Sequence, residues 1–158
     1  LARYEGYGPG NCSVIIECLT DNSSRTFNDV RLCFTKTKTK IGTQGSVSHM
    51  FDHLSILKFS NQDEENVLDC LLMADIDVVD IENEDNMLTI FSPHDESFKA
   101  KQALAEEFGD IDYEVDEIQF IAQNTVDLTG DDIELFDTFM EMLQDLDDVQ
   151  NVFHNVSQ

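Results

Sequence analysis

Basic side chains are scarce in this chain of 158 residues. Nine Lys and Arg stand against 33 Asp and Glu, for a formal net charge of −24. Nucleic-acid binding draws on Lys and Arg that neutralise phosphates, so the bulk surface of such a chain cannot wrap a nucleic-acid backbone. An acidic membrane leaflet repels it for the same reason. Long apolar runs are missing as well. No stretch approaches the about 18 residues that span a bilayer, and no signal peptide is visible, so a cytoplasmic protein without membrane contact is expected. The first residue is Leu1 rather than Met, and the chain is expected to be a piece of a longer or processed protein.

The signatures of metal and nucleophile chemistry are also absent. Cys12, Cys18, Cys33 and Cys70 form no CxxC pair, and no His lies at ligand spacing from any of them. Each sits among apolar neighbours, as buried free thiols of a cytosolic protein do. His49, His53, His94 and His154 are scattered along the chain, without HExxH, and no Ser or Cys occupies a nucleophile elbow. Asp75, Asp77 and Asp80 imitate part of a calcium loop, but Asp80 stands where an EF-hand requires glycine. The run Gly6-Tyr7-Gly8-Pro9-Gly10 precedes a strand, whereas a phosphate cradle must follow one and open a helix. Carboxylates are so abundant that no pair stands out as an acid–base dyad. Nothing here argues for catalysis, a metal or a cofactor.

What is present is a polarised distribution of charge. Residues 1–40 carry six basic and four acidic side chains, and residues 41–158 carry three and 29. Such asymmetry marks distinct surfaces with distinct partners, or acids that merely solvate exposed faces. The basic residues concentrate around one predicted helix, which carries Arg25 and Arg31 and is followed by Lys36, Lys38 and Lys40 alternating with threonines. Cations at a helix C-terminus complement its dipole. The same cations can form a local anion-contacting patch on an otherwise repulsive molecule, touching DNA or RNA phosphate.

With 41% hydrophobic residues the chain can pack cores. Ser13 to Leu19 reads as a buried strand, and Phe27, Val30 and Phe34 recur at helical spacing after the capping residues 21–24. Residues 54–121 read as strand, helix, strand, strand, helix, strand: 54–59, 63–74, 76–81, 87–91, a helix opened by Ser92-Pro93 and ended by Gly109, and 115–121. That is the order of a ferredoxin-like split βαβ unit. The remaining segments repeat it: strand 13–19, helix 24–36, strand 47–51, strand 124–128, helix 131–146 and strand 149–156. The expectation is an α+β protein of two ferredoxin-like domains, one (52–123) inserted into the other (1–51 plus 124–158). Helix 131–146 carries an apolar arc of roughly 180°, wider than the about 100° of a surface helix, which predicts contact with a second body besides its own sheet.

Several of these segments together resemble the YebC family, and most closely its YeeN-like bacterial branch. They are the opening Tyr4-Glu5-Gly6-Tyr7-Gly8-Pro9-Gly10, then Leu19-Thr20-Asp21-Asn22 with Arg25-Thr26, then Gly45-Ser46-Val47. The closing Asp147-Asp148-Val149-Gln150-Asn151-Val152-Phe153-His154-Asn155 completes them. The resemblance runs the length of the chain and implies the family's second and third domains, without its basic upstream helical domain. It implies a non-enzymatic regulator of gene expression that binds DNA. Related members, including the mitochondrial translational activator of cytochrome c oxidase subunit I, act on translation at the ribosome. On this footing Tyr4, Glu5, Gly6, Gly8, Pro9, Gly10, Asp148, Val149, His154 and Asn155 are family motif residues with structural roles. Arg25, Arg31, Lys36, Lys38 and Lys40 are the candidate nucleic-acid contacts, assisting a missing domain that supplies most of them. The partner is then DNA, ribosomal RNA or the ribosome, or a basic protein docked on the acidic surface. One departure stands out: Lys38-Thr39-Lys40 replaces the family's usual Gly-Gly-Asn, giving a less flexible and more basic loop.

Overall fold

A computed structural model of the chain describes residues 1–157. In chain order the elements are β1 (Ala2–Tyr7), β2 (Ser13–Cys18), α1 (Ser23–Lys36), β3 (Lys40–Ile41), β4 (Phe51–Ser60) and α2 (Glu64–Met73). They continue with β5 (Asp80–Glu84), β6 (Met87–Pro93), α3 (Ser97–Phe108), β7 (Val115–Ala122), α4 (Asp131–Gln144) and β8 (Val149–His154). The fold is α+β, with two four-stranded antiparallel sheets and four helices. Two compact units result, residues 1–52 with 120–158 and residues 53–119. The chain passes between them within β4 and within β7.

In the unit of residues 53–119 the strand order is β5-β6-β4-β7, the ferredoxin-like arrangement. Helices α2 and α3 bury Val67, Leu71, Ala100 and Leu104 against Leu57, Phe59, Leu88 and Ile90. Asp63 caps α2, its side chain accepting from the Asn66 N–H at 3.1 Å, and Glu64 and Glu65 follow in the first turn, where the helix dipole favours them. The strand expected at 76–81 lies at 80–84 instead. Residues 82–84, expected as part of a polar turn, are strand, and only Asp85-Asn86 turn, both at positive φ as a two-residue hairpin requires. The acidic side chains of β5 sit on a sheet edge, where charge discourages pairing with other chains.

In the other unit the order is β3-β1-β2-β8, with β1–β2, β1–β3 and β2–β8 all antiparallel. Every residue of β2 is buried, which explains its unalternating apolar run. On one face Val14, Ile16 and Cys18 pack with Val30, Cys33 and Phe34 of α1 and with Phe136, Phe139 and Leu143 of α4. On the other, Ile15 joins Val47, Phe51 and Phe120. Two elements expected here differ. Residues 48–50 form a short 3-10 turn rather than a strand, and 124–128 contributes a single bridge, Val126 to Val156. The two sheet positions those segments would have filled belong to β1, at the start of the chain, and to the short β3. Most of the wide apolar arc of α4 packs within its own unit, against α1 and the Pro9–Asn11 turn, while Ile133 at its start stays exposed; the Phe34 and Phe139 rings meet edge to face at 4.9 Å.

Candidate functional site

The turn joining β1 to β2 is built from glycines that sterics demand. Gly8 donates its N–H to the Cys12 carbonyl at 2.8 Å, and Asn11 donates to the Gly8 carbonyl at 3.0 Å. Gly10 adopts φ +69°, and a Cβ there would collide with Leu128 Cδ2. In β1, a Cβ on Gly6 would lie 2.7 Å from the Gly42 nitrogen, so the chain after β3 can approach only glycine.

Beside this turn, α1 ends in a Schellman motif. The Lys38 N–H donates to the Thr35 carbonyl at 3.1 Å and the Thr39 N–H to the Phe34 carbonyl at 2.9 Å. The left-handed position, normally glycine, is Lys38 at φ +65°. Thr37 and Thr39 hydroxyls donate to carbonyls of the last turn, Cys33 at 2.8 Å and Phe34 at 3.0 Å. The alternation of Thr and Lys thus has a local meaning: the threonines close the helix, and Lys36, Lys38 and Lys40 remain exposed.

The two segments meet in one cleft of about 550 Å³. Tyr7, Gly8, Pro9, Gly10 and Asn11 line it together with Thr37, Lys38, Thr39 and Lys40, and with Asp132 and Leu135 of α4. Tyr7 and Lys40 are direct cross-strand partners, so their side chains leave the same face of the sheet. Among the described residues Lys36, Lys38 and Lys40 form no ion pair. The family motif and the basic segment, far apart in sequence, are thereby brought together. Tyr7, Asp132 and Leu135 were not among the expected contacts. The Tyr7–Lys40 pairing requires recognising residues 2–7 as a strand, and their mix of polar residues and glycine hides it.

Arg25 lies elsewhere. Its guanidinium donates to Asp148 at 2.9 Å and reaches Asp21 at 3.4 Å. The Thr26 hydroxyl donates to the same Asp148 oxygen at 2.8 Å. These bonds, from Arg25 first and then Thr26, hold the Asp148 carboxyl below its usual range. The cleft around Arg25 is lined by Asp29, Asp145, Asp147 and Asp148, four carboxylates to one guanidinium, which disfavours an anion. Eleven residues of helix place Arg25 about 16 Å from Lys36 along the axis. Arg31 is exposed on α1 between them.

The remaining motif residues stitch the sheet. Tyr4 donates its hydroxyl to the Ser23 carbonyl at 3.4 Å, and its ring lies 6.1 Å from that of Phe27. Buried Glu5 accepts from the N–H groups of Val47 at 2.8 Å and Ser48 at 2.9 Å. Asn155 accepts from the Ser13 N–H at 2.8 Å through its side chain, and Val149 pairs with Cys18. His154 Nδ1 accepts from the Val156 N–H at 3.1 Å, its ring lies edge-on to Phe136 at 5.0 Å, and burial lowers its pKa. Burial pushes the Cys12 and Cys18 thiols up to about 11, which leaves them protonated and poor nucleophiles at neutral pH. Among the described residues no three His, Cys, Asp or Glu gather as a metal cage, and no helix is long and apolar enough to cross a membrane.

The fold and the cleft together define a two-unit α+β protein with a small cationic patch on an acidic body. The chain belongs to the TACO1/YebC family: the model of that family's second and third domains matches residues 1–156. It is 67% identical over 157 residues to a probable transcriptional regulatory protein of Hydrogenovibrio crunogenus, covering 99% of this chain and 66% of the relative. A protein of the same description from Alcanivorax borkumensis is 63% identical over 155 residues, covering 98% and 65%. The chain therefore spans just under two thirds of the length of these relatives. Among solved structures, a conserved hypothetical protein of Aquifex aeolicus superposes with a TM-score of 0.68 at 27% identity, over 99% of this chain and 64% of that one.

Proposed function

We propose that this chain is part of a YebC-type regulator of transcription that works without catalysis by contacting DNA phosphates. The names of its relatives support the regulatory role. The observation that carries the nucleic-acid reading is the end of α1: Lys36, Lys38 and Lys40 form no ion pair among the described residues, and Lys38 and Lys40 line the cleft beside the glycine-rich turn. Their threonine frame is satisfied by the helix itself, so the ammonium groups are left to an outside anion. In the full-length protein most phosphate contacts come from sequence outside these 158 residues, and Lys36, Lys38 and Lys40 assist. Arg31 stands near this patch on α1, while Arg25 serves Asp148.

The test is binding of single-stranded DNA by the full-length protein across a salt series, with Lys36, Lys38 and Lys40 replaced by Gln. Each lysine that no longer neutralises a phosphate flattens the logarithmic salt slope by about 0.7 on a single strand. A slope shallower by about 2 supports the proposal, and an unchanged slope and affinity overturns it. A second reading has its own support. Residues 53–119 carry 19 acidic and three basic side chains, which favours docking on a basic protein such as one of the ribosome. Under that reading the lysine variant is indifferent, and ribosome co-sedimentation persists where DNA pull-down fails.

A further inference from the structure

We infer that the lysine cleft takes a single strand, with an unstacked base lying on Tyr7 and the flanking phosphates on Lys38 and Lys40. This rests on the nucleic-acid reading of the cleft and specifies its ligand. Tyr7 is the last residue of β1 and keeps 40% of its surface exposed. In the register it stands opposite Lys40, which places an aromatic face and a cation side by side on one sheet face. An open ring beside backbone-tracking cations is the combination by which proteins hold single strands, because every base has a face to stack and every nucleotide a phosphate.

Shape and charge both disfavour a duplex. The cleft has a volume of about 550 Å³, room for a nucleotide or two but not for the width of a double helix. Its only lining cations are Lys38 and Lys40, and the chain around them is acidic, so a second strand would meet carboxylates such as Asp132 rather than lysines. Asp132, which also lines the cleft, repels a phosphate placed beside it and can accept from the exocyclic amine of a base. The turn is held by Gly8 and Gly10 and the helix end by its own hydrogen bonds, so both walls are formed before the ligand arrives.

The experiment measures fluorescence anisotropy of a labelled single strand of about 12 nucleotides and of its duplex, at low salt, with the 158-residue chain. The expected result is tighter binding of the single strand, weakened about tenfold by Tyr7→Ala, with Tyr7→Phe close to the parent. Duplex binding should not respond to Tyr7→Ala. Tyr7→Trp supplies a direct readout, since the chain has no other tryptophan and stacking of a base quenches the indole. Quenching by the single strand, absent when Lys38 and Lys40 are also replaced by Gln, supports the inference. If Tyr7→Ala leaves single-strand binding unchanged while the lysine substitutions abolish it, the stacking inference falls and the phosphate reading stands. If the lysine substitutions also change nothing, the phosphate reading falls with it.

Discussion

Glu5 shows how one buried charge organises a loop. Burial by itself would raise its pKa, but N–H groups of Val47, Gly45 and Ser48 and the Ser48 hydroxyl outweigh burial and bring it below the ordinary 4.5. Unfolded, the carboxyl titrates near the ordinary value; folded, it titrates lower. Between the two, the unfolded chain binds a proton that the folded chain does not, so stability is full above the window and falls as pH drops through it. Glu5→Ala strands the buried Val47 N–H and the half-buried Ser48 N–H and is expected to lower stability by about 2 to 3 kcal/mol at neutral pH. Urea midpoints from neutral pH downward check the assignment: the gap between parent and Glu5→Ala should narrow as pH falls below 4.5. A gap independent of pH would refute a charged role for Glu5. None of this was legible from sequence, where Glu5 was one letter of a motif. Its carboxyl is answered by backbone more than forty residues later, and spacing does not report such partners.

At the scale of elements, the end of α1 carries a conflict. A Schellman turn wants glycine at the left-handed position, and this chain places Lys38 there at φ +65°. A non-glycine residue in that conformation costs about 1 kcal/mol. Lys38→Gly should therefore stabilise the protein by about that amount, seen as a higher thermal midpoint, while weakening nucleic-acid binding. A variant that gains stability and keeps full affinity would show that Lys38 is tolerated rather than used. The basic character of this loop was legible in the sequence, and its left-handed turn was not. Helices and buried strands were legible from local chemistry: α2, α3 and α4 have acidic first turns, caps or clear periodicity, and β2 is an unbroken apolar run. The failures share a cause. Strand β1 mixes charged and aromatic residues with one glycine and is held by close approach at Gly6, while β5 is acidic because it is an edge, and both conditions exist only after the sheet has formed. The candidate lysines were visible, but the cleft was not, since its other wall comes from that unrecognised strand.

For the whole molecule, the charge distribution sets two observables against each other. The unit of residues 53–119 carries a net −16 and the rest −8, with six of the nine cations in the latter. Among the described residues only four ion pairs offset this, and Lys36, Lys38 and Lys40 take part in none. Like-charge repulsion over distances near the Debye length, about 10 Å at 0.1 M salt, opposes the compact state, and added salt screens it. The thermal midpoint of the 158-residue chain should therefore rise between about 0.02 and 0.3 M sodium chloride. Over the same range, single-strand affinity should fall, with a logarithmic slope near −2 for about three neutralised phosphates. One titration series, followed by circular dichroism and by anisotropy, measures both. A midpoint that falls with salt would mean that attractive pairs dominate the electrostatics, and a flat binding curve would mean that the lysines meet no phosphate. Opposite slopes would show that a repulsive body and an attractive patch coexist in one chain, so that its affinity for nucleic acid is governed by where its few cations stand rather than by the sum of its charges.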